Sequence, residues 1–246
     1  MSRVGSAQAS FLLVAGRSLL GVVTDLTEST ESVLEETTPL GASAQAYGPV
    51  GILKATLEQR GFYDDSVGSS NEALAGREAT SQVVCYGYEG NTIGKPFVGL
   101  QGGYAATYHR EVTRNALHKA NATYTVSGAK DQGVILHTLK SETTAGNTQA
   151  TAVDNTTSTA NGGVAYLQMS DLVLGGYTNL VVAVKHSLDN VTYVTLGTFT
   201  SVTAAPTAER IVVAPTTVNR YLAMAWAWTG SGSSQSATFM VGFARA

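Results

Sequence analysis

Residues 19–33 read Leu19-Leu-Gly-Val-Val-Thr-Asp-Leu-Thr-Glu-Ser-Thr-Glu-Ser-Val33, and residues 52–61 read Ile52-Leu-Lys-Ala-Thr-Leu-Glu-Gln-Arg-Gly61. Side chains along a strand point alternately to its two faces. In the first stretch this puts Asp25, Thr27, Ser29 and Glu31 on one face, with Val22, Thr24, Leu26 and Glu28 on the other. In the second, Lys54, Thr56, Glu58 and Arg60 oppose Leu53, Ala55 and Leu57. Both stretches therefore predict strands that keep one face polar. Between them, Leu34 to Val50 carries Glu35, Glu36, Pro39, Leu40, Gly41, Tyr47, Gly48 and Pro49. Its glycines and prolines are turn formers and predict a long loop joining an antiparallel pair. A hairpin needs far fewer residues, so the surplus is expected to contact a neighbouring subunit and to become ordered on assembly.

Downstream, Asn71 to Ser81 predicts a short helix, with Asn71 as N-cap and Glu72 at the positive end of the dipole. Strands are predicted at 82–88, 97–108, 122–126 and 134–139, with a helical turn as one reading of 110–120. Gly99-Leu-Gln-Gly-Gly103 has no following helix and predicts a bulge or bend. Ser141 to Gly163 has no aromatic residue and hardly an aliphatic one. That change of composition predicts a protease-sensitive linker between a first domain, residues 1–145, and a second, residues 146–246, with the chain beyond 155 dispensable for assembly. Six strand-like runs follow, at 164–173, 180–186, 192–200, 210–213, 221–228 and 238–244. Short strands at near-regular spacing predict a β-sandwich, with Leu180–Val184 and the face of Leu222, Met224, Trp226 and Trp228 in its core. The fold class expected is mainly β: an N-terminal sandwich or barrel with one short helix, plus a C-terminal β-sandwich.

The composition narrows the function. Hydrophobic residues make up 43% of the 246, enough for a real core, while charged residues make up only 13%, about half the usual share. A surface of hydroxyls, amides and small apolar groups is cheap to desolvate and favours self-association. The net charge of −3 argues against tight binding to phosphate backbones. Phe11 to Ala15 is too short an apolar run for export or for spanning a membrane, which leads to the expectation of synthesis in a cytoplasm.

Chemistry-bearing motifs are sparse. His109, His118, His137 and His186 fall in different segments without metal-ligand spacing. Cys85, the single cysteine, sits in the apolar run Val83-Val-Cys-Tyr86 and is expected to be buried and inert. There is no nucleophile elbow, phosphate loop or dinucleotide fingerprint. The acids Asp25, Glu28, Glu31, Glu35 and Glu36 run without an intervening Lys or Arg. They read either as a solvated strand face or as a surface that repels phosphate.

Three segments, Gly16-Arg-Ser-Leu-Leu-Gly-Val-Val-Thr-Asp-Leu-Thr-Glu-Ser-Thr-Glu31, the Glu35–Gly41 loop and Lys54-Ala-Thr-Leu-Glu-Gln-Arg-Gly-Phe-Tyr-Asp-Asp65, resemble the first hairpin of major tail tube proteins of long-tailed phages. The likeness covers about residues 10–140. The C-terminal runs Asn161-Gly-Gly-Val-Ala-Tyr-Leu167, His186-Ser-Leu-Asp-Asn-Val-Thr-Tyr-Val194 and Val218-Asn-Arg-Tyr-Leu222 are similar to an extra β-sandwich on phage tail and head proteins. The resemblance implies a structural virion protein with no enzymatic activity and no cofactor. Its partners would be copies of itself in stacked hexameric rings, the tape measure and other tail proteins, and passing DNA in transient contact. It further implies that Asp25, Thr27, Ser29, Glu31, Lys54, Thr56, Glu58 and Arg60 face the lumen. Glu35, Glu36, Pro39, Leu40, Tyr47 and Pro49 would lie in an inter-ring loop, with the second domain outside the tube. Lys54 and Arg60 depart from an acidic lining. The competing reading is a β-sandwich that decorates a capsid or binds glycans, for which Tyr47, Tyr104, Tyr108 and Trp228 would have to cluster.

Overall fold

A computed structural model describes residues 11–38, 40, 43–45, 47–78, 80–126 and 130–246. The fold is mainly β with one short helix. In chain order the strands of the first part are β1 (Phe11–Val14), β2 (Arg17–Ser18), β3 (Val23–Glu36), β4 (Tyr47–Phe62), β5 (Gln82–Gly87), β6 (Pro96–Glu111), β7 (Lys119–Val126) and β8 (Lys130–Glu142), with the helix α1 (Ser70–Leu74) after β4. There follow β9 (Gly146–Asn147), β10 (Val153–Asp154), β11 (Gly163–Val173), β12 (Asn179–Ser187), β13 (Val194–Thr198), β14 (Thr207–Val213), β15 (Tyr221–Thr229) and β16 (Ser236–Arg245).

The larger sheet runs β14-β11-β16-β8-β6-β5-β1-β2; β7 also pairs with β6, β4 with β7, and β3 with β4. A smaller sheet runs β10-β15-β12-β13, with β9 beside β15. Alternation of side chains distributes the core over three clusters. The first, under β4 and β7, holds Leu12, Val14, Leu57, Val84, Tyr86, Ala122 and Tyr124. The second holds Phe11, Leu13, Cys85, Phe97, Ile135, Tyr166 and Met240. The third, against the smaller sheet, holds Leu136, Leu167, Met169, Val182, Met224, Trp226, Phe239 and Val241. Odd and even residues of β1 thus feed different clusters, and so do those of β11 and β16. A strand covered on both faces has no use for a polar one, which is why Phe11-Leu-Leu-Val14 is apolar throughout.

Several expectations are corrected. The helix is five residues long and is preceded by Ser69 rather than Asn71; Gly76, at φ 70°, turns the chain away from it. Residues 110–120 form a β6–β7 hairpin rather than a helical turn, with Asn115 at φ 61° in the turn. Gly99–Gly103 does contain an irregularity: the β5–β6 register slips between Gln82↔Gly103 and Val84↔Leu100. A Cβ at Gly99 would lie 2.4 Å from the Tyr166 ring, so that position must stay bare.

The linker reading of 141–163 also changes. β9 pairs with Ala225 and Trp226, and β10 with Tyr221 and Leu222. Thr148 Oγ1 accepts from Met224 N at 3.0 Å, and the Trp226 indole donates to Thr144 O at 2.7 Å. The segment is a polar strap held by hydrogen bonds to β15, a role that needs no apolar side chains. On either side of it the large sheet is continuous, because β8 pairs with β16 along most of its length. Gln168 of β11 accepts from Gly16 N at 2.7 Å and donates to Val83 O at 3.0 Å. Arg210 of β14 holds Asp131 of β8 at 3.0 Å, with Tyr166 hydrogen-bonded to the same carboxylate. C-terminal strands therefore complete a core begun by N-terminal ones.

Candidate functional site

β3 and β4 pair in a register that sets Asp25 opposite Arg60, Thr27 opposite Glu58, Ser29 opposite Thr56 and Glu31 opposite Lys54. All eight positions predicted to share a polar surface thus stand on one face, as four cross-strand pairs. Thr56 is half-buried and the other seven are exposed. The alternate residues Ala55, Leu57 and Gln59 are buried, so the amphipathic pattern is the cause of the orientation.

The face is wider than the two strands read from sequence. β7 adds Lys119, Asn121, Thr123 and Thr125, paired in turn with Phe62, Arg60, Glu58 and Thr56. β6 adds Tyr104, Thr107, His109 and Glu111 beside them. Here a one-residue bulge between Ala105 and Thr107 keeps the polar side chains outward. Alternation in Ala122–Val126 was visible in sequence, but its membership in this surface depends on a pairing about 60 residues distant, which no local pattern encodes. The four strands curve around a groove of about 580 Å³ that includes Asp25, Glu58, Arg60, Thr107, His109 and Asn121 in its lining.

Charge on this surface is nearly balanced. Among the eight predicted positions Asp25, Glu31 and Glu58 face Lys54 and Arg60, and β6 and β7 add Glu111 and Lys119, 3.8 Å apart. Arg60 lies 4.0 Å from Glu58. Ser29 and Thr56 share a hydroxyl hydrogen bond at 2.5 Å. The acidic run is divided by the pleat: Glu28 turns inward to an ion pair with Lys130 of β8. Burial pushes the Glu28 carboxyl upward, but the hydrogen bonds of Lys130, Tyr86 and Tyr88 together with the charge of Lys130 outweigh it and leave the group below the ordinary carboxylate range. Lys130 was missed because it lies 102 residues from Glu28.

The ribbon has two free edges. Among the described residues β3 pairs only with β4, and residues 104–111 of β6 pair only with β7. β3 and β6 run in opposite directions.

Both ends of the expected inter-ring loop are strand, since β3 runs to Glu36 and β4 begins at Tyr47. Leu34 pairs with Pro49, Glu35 with Gly48 and Glu36 with Tyr47, so the paired arm extends well past the last β7 contact at Thr56. Among the described residues β4 pairs there only with β3, and such an edge is where a strand can hold a proline. Glu35, Glu36, Leu40 and Tyr47 are exposed; Pro39 lies outside the described residues.

The other chemistry-bearing residues are scattered. His109 lies in the groove, and His118 stands at the β6–β7 turn against Tyr63. His137 is buried against Phe239 and Trp226. The fourth, His186, accepts from Asn219 N at 3.0 Å. Cys85 is fully buried, and burial pushes its thiol up to about 12. The aromatics of the competing reading are dispersed: Tyr47 on the arm, Tyr104 on the polar face, Tyr108 hydrogen-bonded to Asn71, and Trp228 against Tyr177 in the smaller sheet. Fold and site together define a mainly β protein whose distinctive feature is an exposed polar sheet face.

No family model and no curated protein matches the chain. Among solved structures it is similar to a chain in the virion of a native gene transfer agent particle, at 12% identity over 48% of this chain and 92% of that one, with a TM-score of 0.35. A chain in the tail of an empty gene transfer agent particle, refined with C6 symmetry, gives 12%, 48%, 92% and 0.36. The Dit protein (gp 19.1) of SPP1, a hub of the adsorption apparatus in phages infecting Gram-positive hosts, gives 10%, 95%, 98% and 0.36. Likenesses this slight do not establish a common fold.

Proposed function

We propose that this chain is a non-enzymatic subunit of a phage-type tail tube, assembling into stacked hexameric rings through which DNA passes. The observation that carries the reading is the four-stranded ribbon: polar on the face that holds the groove, apolar behind, and bounded by two edges that are unpaired among the described residues and run in opposite directions. Unpaired edges are sites for adding another chain. Joining β3 of one copy to β6 of the next would make an antiparallel wall in which every polar face points inward. At the usual strand spacing and tilt, six copies of four strands close at about 45–50 Å between backbones. The division of labour follows: residues 1–145 supply the wall, and residues 146–246 lie on its outer side.

In this arrangement Asp25, Thr27, Ser29, Glu31, Lys54, Thr56, Glu58 and Arg60 line the channel. With three acids against two bases among them, plus hydroxyls, the wall offers phosphate no run of cations, so counterion release is small and DNA slides. Changing Asp25 and Glu31 to Lys should slow DNA ejection, with the effect fading as salt rises. Light scattering with size-exclusion chromatography, followed by negative-stain imaging, tests the assembly itself. Rings or hollow filaments are the expected result, and a protein that stays monomeric at high concentration overturns the reading.

A further inference from the structure

His137 of β8 lies beneath the start of the polar strap and has no exposed surface. Its ring stacks on Phe239, with centroids 4.4 Å apart and planes at 8°, and meets Trp226 edge-on at 5.0 Å. Its two nitrogens face two acceptors: Nδ1 is 3.2 Å from Phe239 O, and Nε2 is 3.1 Å from Glu142 Oε1. A neutral imidazole carries one N–H and can donate to only one of them. A second proton would serve both contacts, but it would place a cation between aromatic rings and out of reach of water, which burial disfavours. The charged groups around the ring are Glu142 and, 2.7 Å from that carboxylate, Lys140. Trp226 of β15 and Phe239 of β16 bring no charge, and neither does any residue from 143 to 148. Burial is the largest influence and holds the His137 pKa below its ordinary value of 6.5, against the hydrogen bonds to Glu142 and Phe239 O.

The cover over this ring is thin. Gly146 lies so close to the Trp226 indole that a Cβ there would stand 2.6 Å from it, and Gln235 Nε2 donates to Thr143 O at 2.7 Å. β9 is two residues long, and residues 141–148 carry no apolar side chain larger than alanine. A segment held by hydrogen bonds, with little apolar burial, belongs to the parts of a fold that open first. Glu142, with its side chain 15% exposed, fastens the start of that segment to His137. We propose that His137 and Glu142 form an acid-released catch: a second proton on His137 is accommodated by opening of residues 142–148, which lets water reach the ring and uncovers Trp226 and the strap-side edge of β15. The direction follows from burial. The closed strap favours the neutral ring, so the catch holds above about pH 6.5 and weakens as pH falls through the folded pKa. Between those two values the open fraction rises by up to about tenfold per pH unit. The inference does not depend on the tube reading.

Trp226 reports the opening. In a Trp228→Phe background it is the only tryptophan, and its quenching by acrylamide should rise, with a red-shifted emission, as pH falls from about 7.5 to about 5. His137→Phe should flatten that profile. Glu142→Gln removes the carboxylate that favours the charged ring and should move the rise to lower pH. Nuclear magnetic resonance of the histidine ring nitrogens in the wild-type protein needs no variant: His137 should be neutral at about pH 7 and gain its proton over the same range as the quenching. Quenching that stays constant with pH overturns the proposal, as does a His137→Phe variant that keeps the wild-type profile, which would point to the other buried histidine, His186. An imidazolium already present at His137 at about pH 7 overturns it as well.

Discussion

The C-terminal sandwich and the β3–β4 ribbon are built from the same kind of strand but solve opposite problems. In the sandwich, β11 and β16 are covered on both faces, and the smaller sheet closes the third core cluster. Along the ribbon only the core-facing side is covered, and among the described residues the outer edge of β3 is unpaired and the arm beyond Thr56 has β3 and β4 alone. A two-stranded ribbon is marginal in water. The first region is closed on every face, in part by Phe11, Leu13 and Phe97 of the N-terminal strands; the second leaves a polar face and, among the described residues, two edges uncovered. The contrast explains why the low charge content of the chain is concentrated where it is: buried pairs tie strands together, and exposed, mutually opposed charges decorate the ribbon.

Removing residues 155–246 gives the sharpest test of that contrast. The deletion uncovers Leu13, Phe97, Ile135 and Leu136, all buried. Each fully buried side chain of this kind contributes about 1.5–3 kcal/mol, against a total stability of about 5–15 kcal/mol for a typical domain. The truncated chain is expected to be insoluble or to lack a cooperative melt; a soluble, cooperatively melting fragment would mean that the N-terminal part is independent.

Next in size is the buried pair. Asp131→Ala leaves Arg210 without its carboxylate in a site where both side chains are less than 15% exposed, at an expected cost of about 3 kcal/mol in urea denaturation. By contrast Arg220→Ala, which breaks a solvent-exposed pair with Asp154, should leave the urea midpoint nearly unchanged. Equal losses would contradict the assignment of Asp131 as a tie between the two parts.

Glu28 gives a pH signature on the ribbon's inner face. Its folded pKa is depressed below the ordinary value of 4.5, so the stabilisation is present above that value and is lost as pH falls through the folded pKa. Melting temperature should drop on acidification below about pH 4.5, and Glu28→Gln should flatten that part of the profile; an unchanged slope would remove Glu28 from the account. The smallest effect is expected on the outer face. Asp25→Lys and Glu31→Lys place like charges opposite Arg60 and Lys54, each costing about 0.2–1 kcal/mol, while leaving the fold intact.

Much of this arrangement was legible in the sequence because strand alternation is a local signal. The polar faces of β3 and β4, the strands of the sandwich and the bulge among the glycines of β6 all follow from patterns a few residues long. What escaped depends on distant partners. Ser141–Gly163 looks like a linker because a strap held by backbone hydrogen bonds to β15 needs no apolar residues. Gly48 and Pro49 imitate a loop because an arm edge tolerates residues that an inner strand would reject. β7 and β6 joined the polar face only through the pairing of β7 with β4 and of β6 with β7, and alternation turned Glu28 inward without disclosing Lys130, its partner 102 residues away.

The central claim is that the ribbon's polar face lines a channel closed by copies of the chain. Cryo-electron microscopy of the purified, assembled protein tests it most directly. The account predicts rings in which β3 of one subunit pairs with residues 104–111 of the next and Asp25, Ser29, Thr56 and Glu58 point into the lumen. Rings with these side chains on the outside, or strands closed through other edges, would contradict it.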